Sequence, residues 1–151
     1  MRYFLDTEFN GFGGALLSLA LVPEDGGEEF YATLQCTDAI EPWVDQHVSP
    51  FLNTVPDAFR DPPLSRRDAA LALAHYLQPD EAPFIVADWP EDIAQFCMLL
   101  LTGNGTMVPV PSLRFQILTL FGFSTAANSA VPHNALHDAR ALRDHVVTHL
   151  E

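Results

Sequence analysis

The chain has no lysine; its seven basic residues are all arginines, set against 20 acidic residues, for a formal net charge of −13. That supply of cations excludes a long, non-specific grip on duplex nucleic acid, because sequence-independent affinity comes from neutralising phosphates with basic side chains. Arginine suits bidentate phosphate contacts, although a base-composition bias would leave the same signature. Cysteine is equally scarce. Cys36 and Cys97 have no CxxC or Cys/His spacing that would hold zinc, and they fall in an apparent strand and an apparent apolar helix, where buried free thiols are expected. Long hydrophobic runs are missing too. The longest, Ala15 to Val22, is far shorter than a membrane span, and Arg2-Tyr3-Phe4-Leu5 opens without the apolar core of a signal peptide. The expectation is a cytoplasmic protein with no membrane partner.

What is present suffices for one substantial core. Hydrophobic residues make up 48% of 151, and no repeat, low-complexity stretch or linker divides them, so residues 1–151 are expected to form a single domain. Tyr3 to Phe9 reads as a strand, broken by Asn10-Gly11-Phe12-Gly13-Gly14 before a second strand over Ala15 to Val22. Turn residues at Glu24-Asp25-Gly26-Gly27 lead into a third strand, Glu29 to Leu34. From Pro42 the pattern turns helical, with Trp43, Val44, His47 and Val48 on one side until Pro50 ends or kinks it. After a proline-rich loop, Ser65 as N-cap with Asp68 three residues on introduces a helix whose apolar face is Ala70, Leu73, Ala74 and Leu77.

Phe84 to Ala87 is a short buried strand, followed by a helix to about Leu101 with Ile93, Phe96, Cys97 and Leu100 inward. Met107 to Val110 reads as a fifth strand, and Leu113, Gln116, Ile117 and Leu120 as another helix. A last helix runs from near Asn134 to the C-terminus, with Leu136, Ala139, Leu142, Val146 and Leu150 on its core face. Three hairpin-joined strands followed by alternating helices and strands define an α/β sandwich with a mixed sheet.

Three places carry chemistry. Asp6 and Glu8, two apart on a strand, project to the same face in an otherwise apolar segment. Two carboxylates desolvated together cost several kcal/mol unless a cation compensates them; the alternative is a strand whose polar face lies in water. In Ala87-Asp88-Trp89-Pro90-Glu91-Asp92-Ile93, Asp88 fits an N-cap with Glu91 as its capping-box partner, whereas Asp92 borders the apolar face and can look into a cleft. Asp88 is therefore the expected cap and Asp92 the expected ligand, with solvated surface open for both. In His133-Asn134-Ala135-Leu136-His137-Asp138, His133 and Asp138 converge only if the helix begins after His133, which Asn134 as N-cap permits. An imidazole there suits a general base, or else is a surface residue; His137 points away as a bystander.

These residues give the chain its resemblance to the DEDDh 3′–5′ exonucleases, which include the oligoribonuclease and RNase T groups. Phe4-Leu5-Asp6-Thr7-Glu8-Phe9 is similar to the family's first motif, Asp92 stands where the second has its aspartate, and His133 with Asp138 five residues on matches the third. The second motif departs, lacking the His-Asn and Phe-Asp dipeptides of many relatives. The resemblance covers essentially the whole chain, and a compact exoribonuclease branch beginning almost at once with Asp-x-Glu-Phe is nearest. It implies an RNase H-like fold, with three antiparallel N-terminal strands on one side of a five-stranded mixed sheet and helices on both faces. It also implies two Mg²⁺ or Mn²⁺ ions held by Asp6, Glu8, Asp92 and Asp138, with His133 taking a proton from the attacking water.

The expected activity is removal of nucleoside 5′-monophosphates from single-stranded 3′ ends, RNA favoured over DNA. Phe9 and Trp89 are candidates to stack on terminal bases, with core packing the alternative for Phe9, and Arg140 and Arg143 to touch phosphates, with solvated helix positions the alternative. A homodimer is left open. Other classes that fit the same acids are a silent RNase H-like domain that binds protein and another two-metal phosphodiester hydrolase, either an endonuclease or a small-nucleotide phosphohydrolase.

Overall fold

The structure, a computed structural model, describes residues 1–149. In chain order its elements are β1 (Arg2–Phe9), β2 (Leu16–Pro23), β3 (Phe30–Thr33), α1 (Pro42–His47), α2 (Arg66–Leu77), β4 (Phe84–Ala87) and α3 (Pro90–Leu99). There follow β5 (Leu101–Gly103), β6 (Thr106–Met107), β7 (Arg114–Ile117), α4 (Thr125–Asn128) and α5 (Ala135–His149). β1 pairs antiparallel with β2 and β2 with β3, while β4 joins β1, and β7 joins β4, in parallel. The result is a five-stranded mixed sheet in the order β3-β2-β1-β4-β7. Gly11 and Gly13, with φ of 74° and 73°, make the first turn, a left-handed backbone that costs glycine little.

Period-two alternation in β1 sorts the core onto both faces of the sheet. Tyr3 and Leu5 join Leu19, Leu21 and Ile85 against Leu73 and Leu77 of α2 and Phe96 and Leu99 of α3. Phe4 and Val86 turn the other way and meet Leu142 and Val146 of α5, while Ala20 and Val22 meet Leu136 and Ala139 of the same helix. Helices therefore cover both faces. The α2 cap forms as its sequence requires: Ser65 Oγ accepts the Asp68 N–H at 3.1 Å, and Ala70, Leu73, Ala74 and Leu77 are buried. At the start of α5, Asn134 Oδ1 accepts the N–H groups of Leu136 and His137 at 3.1 and 3.3 Å.

Several expectations are corrected. The segment Leu113 to Leu120 is not a helix: Arg114–Ile117 is strand β7, and this, not Met107 to Val110, is the fifth strand of the sheet. Four exposed residues paired on one side only present no clean alternation, and apolar residues at 113, 117 and 120 imitate a helical period. Thr106–Met107 instead closes a two-stranded hairpin with β5, so α3 stops at Leu99, short of Leu101. The two cysteines are free, as expected, but Cys97 is exposed and Cys36, just beyond β3, is half-buried. Val44 and Val48 of the α1 segment pack inward, whereas Trp43 is 54% exposed. Leu150, expected on the core face of the last helix, lies outside the described residues. No helix of the described chain is long and apolar enough to cross a membrane.

Candidate metal centre

Because Asp6 and Glu8 share the parity of Phe4, their carboxylates stand on the α5 face of β1, toward its carboxyl end. Thr7 faces the opposite side, where α3 begins. Its N–H and Oγ1 both donate to Asp92 Oδ1, at 3.2 and 2.6 Å, tying the α3 carboxylate to the strand. From the other face, α5 brings Asp138, whose Oδ2 accepts the His133 N–H at 3.2 Å. This bond closes the loop before the helix, and His133 takes a φ of 61° to make it. The helix does begin after His133, so His133 and Asp138 converge. All five expected residues, Asp6, Glu8, Asp92, His133 and Asp138, line one cleft of about 260 Å³, at the carboxyl ends of the parallel strands where open α/β sheets place their ligands.

The donor atoms fall into two groups. Asp6, Asp88 and Asp92 offer ligand atoms within 4.8 Å of one another, and so do Glu8, His133 and Asp138. Larger hollows of about 570 and 680 Å³ lie elsewhere, but among the described residues both groups belong to this cleft. Asp6 Oδ2 and Asp138 Oδ1 are buried without a hydrogen-bond partner among the described residues. Burial holds the Asp6 carboxyl well above the usual carboxylate range, with Asp92 and Glu8 adding repulsion. Burial also pushes Glu8 up to about 8, with Asp138 contributing. It raises Asp92 to about 7 against the opposing Thr7 bonds, and Asp138 to about 6 against the bond from the His133 N–H. Unpartnered buried oxygens and like charges that resist ionising together are what a hard divalent cation relieves. A donor set of carboxylates with one imidazole fits Mg²⁺ or Mn²⁺ and contains no thiolate for a soft metal.

Asp88 is the residue the capping argument misplaces. The N-cap position of α3 is Trp89, with no side-chain cap bond, and Glu91 reaches instead to the Gly13 N–H at 2.6 Å. Asp88 turns into the cleft, where its Oδ2 accepts from Thr125 Oγ1 at 3.3 Å and burial raises its carboxyl. Its place directly after a buried parallel strand was the available signal. Asp88→Asn is accordingly expected to cut any metal-dependent activity about 10–100-fold, as loss of a ligand or its supporting partner does, without the roughly 1 kcal/mol penalty of a lost helix cap. Paired activity and thermal-melt measurements check both halves.

The flanking residues divide. Phe9 is half-buried and Trp89 is 51% exposed, and both line the cleft. Arg140 is not brought there: its guanidinium is bound by Glu29 through two bonds, one of 2.8 Å, and Arg143 is paired with Asp144. His137 is half-buried rather than exposed, with Nε2 2.9 Å from the Thr54 carbonyl oxygen, and it stays out of the cleft. The Trp43 ring stands edge-on to His133 at 5.1 Å and stacks on His47 at 4.6 Å, so one wall of the histidine is aromatic. Burial, with His47 adding to it, holds the His133 imidazole below its ordinary value and hence neutral at neutral pH. No protein-family model matches the chain, and no curated protein matches it.

Proposed function

We propose that the protein is a metal-dependent 3′–5′ exonuclease of the RNase H-like class, acting on single-stranded nucleic acid with RNA favoured. The observation that carries this reading is the convergence of acids from β1, the β4–α3 junction and α5, with His133, on one cleft that leaves buried carboxylate oxygens unpartnered. The resemblance of the three motifs supports it, as do the three antiparallel strands on one side of a five-stranded mixed sheet.

Asp6, Glu8, Asp92 and Asp138 would hold two divalent cations, with Asp88 joining Asp6 and Asp92 in one of the two groups. Such ions, when bound, polarise a phosphodiester and neutralise charge developing on the attacking and leaving oxygens. The chain's own residues do the rest. His133, neutral beside the Glu8 and Asp138 carboxylates, accepts a proton from the attacking water through a ring nitrogen. Asp138 fixes the backbone from which that ring projects, and Thr7 fixes Asp92. Trp89 and Phe9 offer apolar surface to the terminal bases, where stacking contributes about 1–3 kcal/mol per base irrespective of sequence. The products are a nucleoside 5′-monophosphate and a strand one residue shorter.

With Mn²⁺, 5′-labelled single-stranded oligomers are expected to give a ladder shortened one nucleotide at a time from the 3′ end, faster for RNA than for matched DNA. Internal fragments without a ladder would point to an endonuclease. Intact oligomers together with hydrolysis of small nucleotides would point to a phosphohydrolase, and no hydrolysis of either to a silent domain.

A further inference from the structure

Strand β2 reads Leu16-Leu17-Ser18-Leu19-Ala20-Leu21-Val22-Pro23, and every one of its residues is buried. Ser18 is the one side chain in it with a polar group. It is 0% exposed, and its Oγ has no hydrogen-bond partner among the described residues. Thr33 of β3, directly opposite Ser18, repeats the anomaly: it is 7% exposed and its Oγ1 is likewise buried and unpartnered. The Leu34 N–H donates to the Leu17 carbonyl at 2.8 Å, so Ser18 and Thr33 form the adjoining non-hydrogen-bonded pair, the kind whose side chains stand closer. A buried hydroxyl without a partner costs stability that alanine or valine in its place would not, so two of them side by side call for a role in function.

On the other side of Ser18 stands Glu8. The two are paired across β1 and β2, so their side chains leave the same face of the sheet, about 4.5–5.5 Å apart at Cβ. Glu8, Ser18 and Thr33 thus make one polar row across three strands, beginning in the acidic cleft and ending at β3. The ladder is interrupted just beside it: Phe9 pairs with Leu16, which leaves Leu17 as an extra residue, packed on Val44 and Val48. Such a bulge re-aims the side chains next to it. The Tyr31 hydroxyl also approaches Ser18, but it donates its own proton to the Leu52 carbonyl at 2.6 Å, and a neutral phenol accepts a hydrogen bond about half as strong as an ionised carboxylate does. A Glu8 that ligates a cation is such a carboxylate. We propose that Ser18 is a positioning residue for Glu8, donating its hydroxyl hydrogen to that carboxylate, and that Thr33 in turn donates to the Ser18 oxygen. This role rests on the metal centre proposed above and assigns two hydroxyls behind it to holding one of its ligands.

Calorimetric titration of the metal-free full chain with Mn²⁺, set beside thermal melts without metal, tests the assignment. Ser18→Ala is expected to weaken Mn²⁺ binding about 10–100-fold, the usual effect of losing a partner that orients a ligand, while the metal-free protein melts at the same or a higher temperature. Thr33→Val, which keeps the shape and deletes the hydroxyl, should weaken binding at least about threefold, and Thr33→Ser, which keeps the hydroxyl, should stay within about twofold of wild type. Should Ser18→Ala fail to fold, the two Thr33 variants decide. Mn²⁺ affinity within about twofold of wild type in Ser18→Ala would show hydroxyls that satisfy only each other or a structural water, and would overturn the proposal while leaving the metal centre standing. An affinity loss that comes only with a lower metal-free melting temperature would overturn it equally, as the mark of a packing role. A wild-type chain that binds no Mn²⁺ overturns the metal centre itself, and this role with it.

Discussion

Asp6→Asn and Asp138→Asn are each expected to abolish metal-dependent hydrolysis while raising the melting temperature of the metal-free protein. The loss of activity follows, on the metal-dependent reading proposed above, from removing a carboxylate whose buried oxygen has no hydrogen-bond partner among the described residues and is free to ligate a cation. Several kcal/mol of charge stabilisation lost at the reacting phosphate is at least about 10³-fold in rate. The gain in stability follows from the raised carboxyls. Asp6 stands well above the usual range, and Glu8, Asp92 and Asp138 at about 8, 7 and 6, all higher than in an unfolded chain. The folded state then binds more protons than the unfolded state between the ordinary carboxylate range and about pH 8. The stability these groups contribute is complete below that window and is lost as pH rises through it. Metal-free wild type should therefore melt at a higher temperature near pH 5.5 than near pH 8.5, and either substitution should flatten that slope. Each kcal/mol of repulsion relieved raises the midpoint by roughly 2–4 °C in a chain of this size. Mn²⁺ at about 100 times its Kd should add roughly 2.7 kcal/mol to wild type and much less to Asp6→Asn. Melting curves indifferent to both pH and Mn²⁺ would remove the basis for a metal centre here.

What the sequence displayed of this arrangement depended on how strongly each segment repeats its own period. β1 and β2 were legible as short apolar runs bounded by the turn residues Asn10 to Gly14 and Glu24 to Gly27, and α2 and α5 because their apolar residues recur at helical spacing after the caps Ser65 and Asn134. That Asp6 and Glu8 share one face was also legible, since residues two apart on a strand have the same parity, and the structure places both in the cleft. β7 was not, since an edge strand with exposed side chains has little burial to impress a period on its sequence. Asp88 was misread because local capping chemistry and a tertiary site compete for the same side chain. Only the approach of Asp6 and Asp92, brought by the β1–β4 pairing, decides between them. Arg140 failed differently: Glu29, far away in sequence on the approach to β3, occupies it, a contact no helical wheel reveals.

His133→Ala is expected to slow hydrolysis by roughly 10²–10⁴-fold, the usual share of general-base catalysis, while Mn²⁺ still raises the melting temperature because the carboxylates remain. The neighbouring substitution supplies the contrast. His137→Ala removes a ring whose Nε2 is engaged with the Thr54 carbonyl outside the cleft, so its rate should stay within a few fold of wild type. Single-turnover measurements with saturating Mn²⁺ separate the chemical step from product release. The pH dependence carries the same distinction. Burial keeps the His133 imidazole below its ordinary value, so with metal displacing the carboxyl protons, wild-type activity should rise with pH and level off below the usual histidine range. In His133→Ala that limb should disappear, leaving a low, flatter profile, whereas His137→Ala should retain it. The Asn134 cap and the bond from the His133 N–H to Asp138 keep the turn in place without the imidazole, so the test deletes a base and not a fold. If His137→Ala were the inactive variant and His133→Ala the active one, both the placement of the base and the match of this segment to the third exonuclease motif would fail together.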